Sequence, residues 1–384
     1  MAWRPAPLLE QHIHSRMTKT TPSVPAQLSI RENVALAPYT TIGIGGAARF
    51  FTEAHTVEEL REQLAWARER SLPLLVLGGG SNLLIADAGF PGLVIRTDLR
   101  GIKEEIETDG RVVLQVASGE DWDAFVQQCV KSNLAGLECL SGIPGCVGAS
   151  PIQNIGAYGQ EVKGVITEVE ALDRTTGQLR TFSNPDLQFS YRMSRFKAQD
   201  RDRFIVTAVK FELQRGATPS VRYGDLTRHF EAAGIRQPTI QQVRTAVLEI
   251  RAKKAMVVDP AEPNSRSCGS FFMNPVVTMA EHERIVGQLQ SEQALKAGET
   301  MPAFDAGAGA KKLSAAWLME KAGLRKGMTH GNVGLSEKHV LAIVNRGGGT
   351  AAEVLELVKL VQRTVHEKFG IQLEPEPVFV GFTP

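Results

Sequence analysis

Hydrophobic and polar positions change period several times along the chain, and each change marks an element. From about residue 28 the pattern becomes globular. ARFFTEA, residues 48–54, reads as a strand, VEELREQLAWARER repeats at helical spacing, and LPLLVLGG is a short apolar run suited to a buried strand. Thr56 and Glu59 stand just ahead of the helical run as a capping box. Together these form one β-α-β unit ending in glycines. GLVIRT and VVLQVAS are further strands around the helix WDAFVQQCVKSNL. VITEVEALDR, LRTFS and RFIVTAVKFEL continue an antiparallel, strand-rich pattern to residue 213, and IQQVRTAVLEIRAKK is helical. After DPAEPNSRS, whose prolines and polar residues predict a linker, AAWLMEKAG is helical and HVLAIVN a strand. Thr350 and Glu353 open the last helix, AEVLELVKLVQRTVHEKFG, with apolar residues at 354, 357, 358, 361 and 365.

One long segment breaks this periodicity. Residues 140–160 are dominated by Gly, Pro, Ala and Asn, which predicts an ordered loop where backbone approaches something closely.

Bulk composition narrows the function classes. A chain of 384 residues has room for two or three domains. With 43 Lys+Arg against 42 Asp+Glu, the formal charge of +1 gives no global field for nucleic acid or membrane. The four cysteines form no C-x-x-C pair and are too sparse for a disulfide framework, so a reducing cytoplasm is expected. No run approaches the roughly 20 apolar residues of a membrane span. The first 28 residues carry prolines and scattered charge without a signal-peptide core and are expected to be a disordered extension, with Met17 a second candidate start.

Several short motifs carry chemistry. GIGGAA, residues 43–48, fits the dinucleotide fingerprint in letters only, because a strand and not a helix follows it. GGGSNLLI, residues 78–85, places three glycines after a buried strand, which is either a plain turn or an anion nest. SGIPGCVGASPIQNIGAYGQE, residues 141–161, is a second small-residue loop, and two such loops suit an extended, phosphate-containing ligand. FSYRMSRFK and RAKK read alone as basic, solvated stretches, and EPEP as a surface tail. Ser270 in RSCGSFFMNP lacks a G-x-S-x-G elbow and an S-x-x-K partner, so it is a poor candidate nucleophile. The histidines show no metal-ligand spacing, and no metal site is expected.

Taken in order, TTIGIGGAARFF, LGGGSNLLI, SGIPGCVGASPIQNIGAYGQE, FSYRMSRFK, CGSFFMNP and LEPEPVFVG closely resemble the UDP-N-acetylenolpyruvoylglucosamine reductase family, the flavin enzymes of peptidoglycan synthesis. The resemblance runs from about residue 28 to 381. It implies an α+β fold: a discontinuous FAD-binding region of the vanillyl-alcohol-oxidase (PCMH) type, made of two α+β subdomains, plus a C-terminal α+β substrate-binding domain. The implied boundaries are 29–98 with 371–384 for the first FAD subdomain, 99–251 for the second and 252–370 for the UDP-sugar domain. The PCMH-type region itself spans about 40–216.

The same resemblance implies the chemistry. NADPH gives a hydride to bound FAD, which passes it to UDP-N-acetylglucosamine enolpyruvate, making UDP-N-acetylmuramate. Arg192 and Glu376 match the family's carboxylate-polarising pair, and Ser270 its proton donor. The cofactor is expected on Gly78, Gly79, Gly80, Ser81 and Asn82, and along Ser141, Gly142, Ile143, Pro144, Gly145, Gly148 and Ala149. Asn154, Gly156, Ala157 and Tyr158 extend that cofactor surface. Substrate contacts are expected from Tyr191, Tyr223, Lys254, Asn274, Lys326 and His339, with Tyr223 on a mobile lid over the uridine nucleotide. Met273 departs from the family's usual lysine, and Pro377 from its usual β-branched residue. A cytoplasmic monomer with no macromolecular partner is expected. The competing readings are another flavin oxidase of the same cofactor fold and a catalytically silent UDP-sugar or flavin binder. CGSFFMNP and LEPEP argue against the first, and retention of Arg192, Ser270 and Glu376 against the second.

Overall fold

The computed structural model describes residues 28–382 apart from Arg222 and Lys296, so all but the last residue of the expected N-terminal extension lies outside the described residues. Strand Arg31–Ala35 pairs antiparallel with Ala47–Ala54, which runs parallel to Phe90–Thr97, and that strand runs parallel to Leu74–Leu77. The two strands of the β-α-β unit are therefore separated by a third, Phe90–Thr97, whose central residues Leu93, Val94 and Ile95 are fully buried. The intervening helix, Val57–Glu69, buries Leu60, Leu64 and Ala67 at i, i+4 and i+7 against Leu93 and Ile95 below and Leu172 and Ile205 of the next sheet above. Thr56 caps the helix by accepting from the Glu59 N–H, but the Glu59 carboxylate reaches the His55 N–H at 2.7 Å. The expected capping box is thus displaced by one residue on its return arm.

The second sheet is antiparallel, in the order Leu179–Ser183, Ile166–Asp173, Phe204–Arg215, Arg111–Ala117, Ile102–Thr108. Helix Trp122–Lys131 packs on it through Trp122, Phe125, Val126 and Val130, with Trp122 and Phe125 against Phe211. The small-residue segment is more structured than a loop. It holds a 3-10 turn at Val147–Ala149, a one-turn helix Ser150–Gln153 and a ribbon pairing Gly156–Ala157 with Gln160–Glu161. Asn154 ends the short helix in the left-handed region, φ +45°.

A third assembly joins strands Ser267–Ser270, Ala342–Asn345, Val333–Leu335 and Thr329–His330 with a ribbon of Val276–Thr278, Ala310–Leu313 and Ala303–Asp305. Helices Met279–Ser291, Ala315–Lys321 and Ala351–Phe369 cover it. In the last, Val354, Leu357, Val358, Val361 and Val365 are all buried, and Gly370 at φ +69° caps the end. The Asp87 carboxylate, from the first sheet's loops, accepts from the N–H groups of Ala351 and Ala352 at 2.8 and 3.0 Å. A carboxylate at a helix N-terminus satisfies orphan donors and opposes the dipole, so it ties this assembly to the first sheet.

The chain finally returns beside the first sheet, where Val380 shares a core with Phe51, Leu77 and Ile85. Strand Val378–Val380 lies parallel to Leu83–Ile85, directly after the GGGSN turn. This return sets Glu376 beside residues almost 300 positions earlier in the chain.

Candidate active site

Two glycine-rich loops meet first. A Cβ on Gly79 would stand 2.6 Å from Gly145 Cα, so the two backbones touch where neither carries a side chain. Gly80, at φ +61°, would drive a Cβ to 1.8 Å from the Tyr39 carbonyl. Ser81 Oγ donates to the Pro144 carbonyl at 2.9 Å and locks the loops together. Among the described residues, the N–H groups of Gly79, Gly80, Ser81, Gly145 and Cys146 donate to no protein acceptor. Nearby, Gly148 packs on Ser118, whose buried hydroxyl has no partner, and the buried Ser150 hydroxyl has none either. Free backbone donors gathered where the two glycine loops meet fit an extended diphosphate-containing cofactor such as FAD.

Other residues of this surface shape it from within. Ser141 is fully buried and donates to the Glu138 carbonyl at 2.7 Å, and the Gly142 N–H is taken by Asp123 at 2.6 Å. Asn154 is likewise buried, its amide bonded to the Ser190 carbonyl and to Glu161. Their side chains hold the loop's shape. Changing Gly79 to Ala is expected to force the two loops apart at a cost of about 1–3 kcal/mol. Flavin retention through gel filtration, read from absorbance near ~450 nm, should fall while the circular dichroism of the fold persists.

A cluster of charged and polar side chains lies beside these loops. Arg192 Nε donates to Glu376 Oε1 at 3.1 Å, with both side chains mostly buried, and Arg192 Nη2 donates to the Gly156 carbonyl at 2.8 Å. Arg192 adopts φ +56°, a left-handed conformation that a non-glycine residue takes at a cost of roughly 1–2 kcal/mol. The neighbouring polar side chains hold Arg192 in this conformation. Gln153 Nε2 reaches the same Glu376 oxygen at 2.6 Å, and Lys197 Nζ donates to the Arg192 carbonyl at 3.1 Å. Burial lowers the Lys197 ammonium's pKa, with Glu376 opposing that shift.

Ser270 ends its strand opposite Ala342, and the next two residues, Phe271 and Phe272, are buried. The Glu376 N–H donates to the Phe271 carbonyl at 2.8 Å, and the Met273 N–H to Glu374 at 2.9 Å. The Ser270 segment and the EPEP segment are thereby zipped together, so Ser270 stands one residue from the bond that fixes Glu376. Asn274 uses Oδ1 to accept from the Ala315 N–H at 2.9 Å, and its own N–H faces the Tyr191 hydroxyl. Burial raises the Tyr191 pKa against the pull of Arg192. Lys312 Nζ sits 4.4 Å over the Tyr191 ring and brings a further cation to this cluster.

A cationic group lies at the other end. His339 is held down to about 4 by burial, reinforced by Lys254, Lys326 and Arg251, so it is neutral at pH 7 and the positive charge belongs to those neighbours. Lys254 Nζ is paired with Asp225 at 2.9 Å. Tyr223 immediately precedes Asp225's helix, Gly224–Ala232, as its N-cap residue, and stands edge-on to Tyr158 with centroids 5.5 Å apart. Burial pushes the Tyr158 hydroxyl up to about 12. Tyr223 therefore opens an ordered helix, where the resemblance implies a loop.

Gln153, Lys197 and Lys312 are the site residues that motif reading missed. Gln153 and Lys197 lie inside quoted motifs, yet a neutral amide in a small-residue loop and the last residue of a basic stretch carry no signal of their own.

Comparison with known proteins identifies the family. The family model "UDP-N-acetylenolpyruvoylglucosamine reductase, C-terminal domain" matches residues 259–380, and "FAD binding domain" matches residues 48–183. A UDP-N-acetylenolpyruvoylglucosamine reductase of Thermobifida fusca is 44% identical over 356 residues, covering 92% of this chain and 99% of that protein. One from Pseudomonas fluorescens is 40% identical, over 91% of this chain and 98% of its own length. The crystal structure of UDP-N-acetylenolpyruvylglucosamine reductase (MurB) from Thermus caldophilus superposes with a TM-score of 0.61 at 27% identity, covering 91% of this chain and 99% of that one. The chain belongs to the UDP-N-acetylenolpyruvoylglucosamine reductase family.

Proposed function

We propose that Arg192, Glu376 and Ser270 carry the reduction of UDP-N-acetylglucosamine enolpyruvate to UDP-N-acetylmuramate in peptidoglycan precursor synthesis. The observation that carries this assignment is the Arg192–Glu376 contact at 3.1 Å, assembled beside the Ser270 segment from three distant parts of a chain of this family. FAD, when bound, would supply the hydride that NADPH provides for the enolpyruvyl double bond. Gly79, Gly80, Ser81, Gly145 and Cys146 would hold its diphosphate through backbone N–H groups.

The protein's own residues handle charge and one proton. Arg192, always protonated, pairs with the substrate carboxylate, and Glu376 reaches it through a shared proton, as negative charge moves onto it while the double bond is reduced. Ser270 then gives its hydroxyl proton to the substrate carbon that has become basic. A hydroxyl is a weak acid in water, so this transfer depends on a strongly basic carbon and a fixed aim. Phe271 and Phe272 supply that aim by anchoring the segment in the core.

Lys254 and Lys326 are assigned to the diphosphate of the UDP-sugar, with Arg251 and His339 behind them, and Tyr223 to the uridine end. Residues 29–98 with 371–384, and 99–251, are assigned to the cofactor, and 252–370 to the UDP-sugar. We assign the enzyme to the cytoplasm as a monomer, and among the described residues no helix is long and apolar enough to cross a membrane. Steady-state NADPH oxidation tests the reading: it should require the enolpyruvyl nucleotide and yield UDP-N-acetylmuramate one for one.

A further inference from the structure

Gln153 makes the shortest contact to Glu376. Its Nε2 lies 2.6 Å from Glu376 Oε1, and Arg192 Nε lies 3.1 Å from the same atom. Two donors on one carboxylate oxygen make that oxygen an acceptor only. Any proton that the Glu376 carboxyl holds or shares then sits on Oε2.

The Gln153 amide is itself held in one sense. Its Oε1 accepts from Asn82 Nδ2 at 2.9 Å and from Lys197 Nζ at 3.4 Å. A flipped amide would aim its NH2 at two donors and its carbonyl at a carboxylate, losing all three hydrogen bonds. Asn82 Nδ2 also reaches the Glu376 carbonyl at 3.3 Å, and Lys197 bonds the carbonyl of left-handed Arg192. Both anchors of Gln153 thus hold the backbone of the pair it serves.

We infer that Gln153 is a positioning residue: anchored by Asn82 and Lys197, it fixes Glu376 Oε1 as an acceptor and leaves Oε2 as the oxygen available to the substrate carboxylate. The inference rests on the reading of Arg192 and Glu376 as the carboxylate-holding pair. It also links that pair to the glycine loop, because Asn82 belongs to GGGSN. The charged and titratable groups around Glu376 are Arg192, Lys197 and Tyr191, with Lys312 over the Tyr191 ring and Glu161 and Glu374 acting from farther out.

The two half-reactions of the flavin-loaded enzyme, followed separately by stopped flow, test this. Gln153→Met should slow reoxidation by the enolpyruvyl nucleotide about 10- to 100-fold, the loss of one hydrogen bond to a charged group. Reduction by NADPH, and the affinity for the enolpyruvyl nucleotide measured without NADPH, should stay within about threefold of the parent. Gln153→Glu should regain much of the lost rate at acid pH, where the introduced carboxyl is protonated and donates to Glu376 as the amide does. It should lose that rate as pH rises and two carboxylates come face to face. A parent-like reoxidation rate in Gln153→Met, equal losses in both half-reactions and in binding, or a Gln153→Glu profile parallel to the parent's would overturn the inference. Glu376→Ala separates the two claims. Its collapse alongside a silent Gln153→Met overturns only the role of Gln153, whereas a silent Glu376→Ala overturns the underlying reading as well.

Discussion

Replacing Ser270 with alanine is expected to leave reduction of the bound flavin by NADPH within about threefold of the parent and to slow reoxidation by the enolpyruvyl nucleotide by about 10²–10⁴-fold. The physical reason is the division of labour in the site. Hydride arrival at the flavin needs no proton from Ser270, whereas completion of the reduced substrate does. The substitution removes one oxygen from a partly exposed position at the end of a strand, and the buried Phe271 and Phe272 that follow keep the segment in place. The fold should therefore lose less than about 1 kcal/mol, as a change outside the packed core does. Rapid-mixing traces of the two half-reactions, recorded separately, decide the matter. Equal slowing of both would make Ser270 structural.

Arg192→Lys is the second large effect, about 10²–10³-fold on the same half-reaction. Lysine keeps the charge, but it cannot donate to Glu376 and to the Gly156 carbonyl at once from a planar fork, as the arginine does at 3.1 and 2.8 Å. The loss should appear in the reoxidation rate more than in nucleotide affinity, because the stabilised charge develops only as the double bond is reduced. Replacement by glycine is expected to relieve the strained φ of +56° and still to abolish turnover, the outcome required if the strain serves the side chain. Pre-steady-state rates, compared with the dissociation constant of the enolpyruvyl nucleotide, separate these contributions. Parent-like reoxidation in Arg192→Lys would remove Arg192 from the chemistry.

The sequence shows much of this architecture because its longer elements keep one period over many residues. The helix Ala351–Phe369 buries each of the apolar positions that repeat along it, and strand Arg111–Ala117 of the second sheet buries every second residue. What escaped had little periodicity to show. Met279–Ser291 buries only Ile285 and Leu289, although its capping box at Thr278 and Glu281 was present to be read. Val276–Thr278 and Ala303–Asp305, at three residues each, are too short to display alternation. Gln153 was illegible for another reason: its contact with Glu376 spans 223 residues, and only the return of the C-terminal strand to Leu83–Ile85 brings the two together. Residue type announces an arginine or a serine in a motif, but a neutral amide becomes functional only through its neighbours.

The most direct test is anaerobic. Enzyme whose flavin has been reduced with one equivalent of NADPH is mixed with UDP-N-acetylglucosamine enolpyruvate, and absorbance near ~450 nm is followed. The expected result is full return of the oxidised flavin spectrum at a rate no slower than turnover, with one equivalent of UDP-N-acetylmuramate formed. A flavin that stays reduced with that nucleotide and recovers only when oxygen is admitted would contradict the assignment of this chain's reaction.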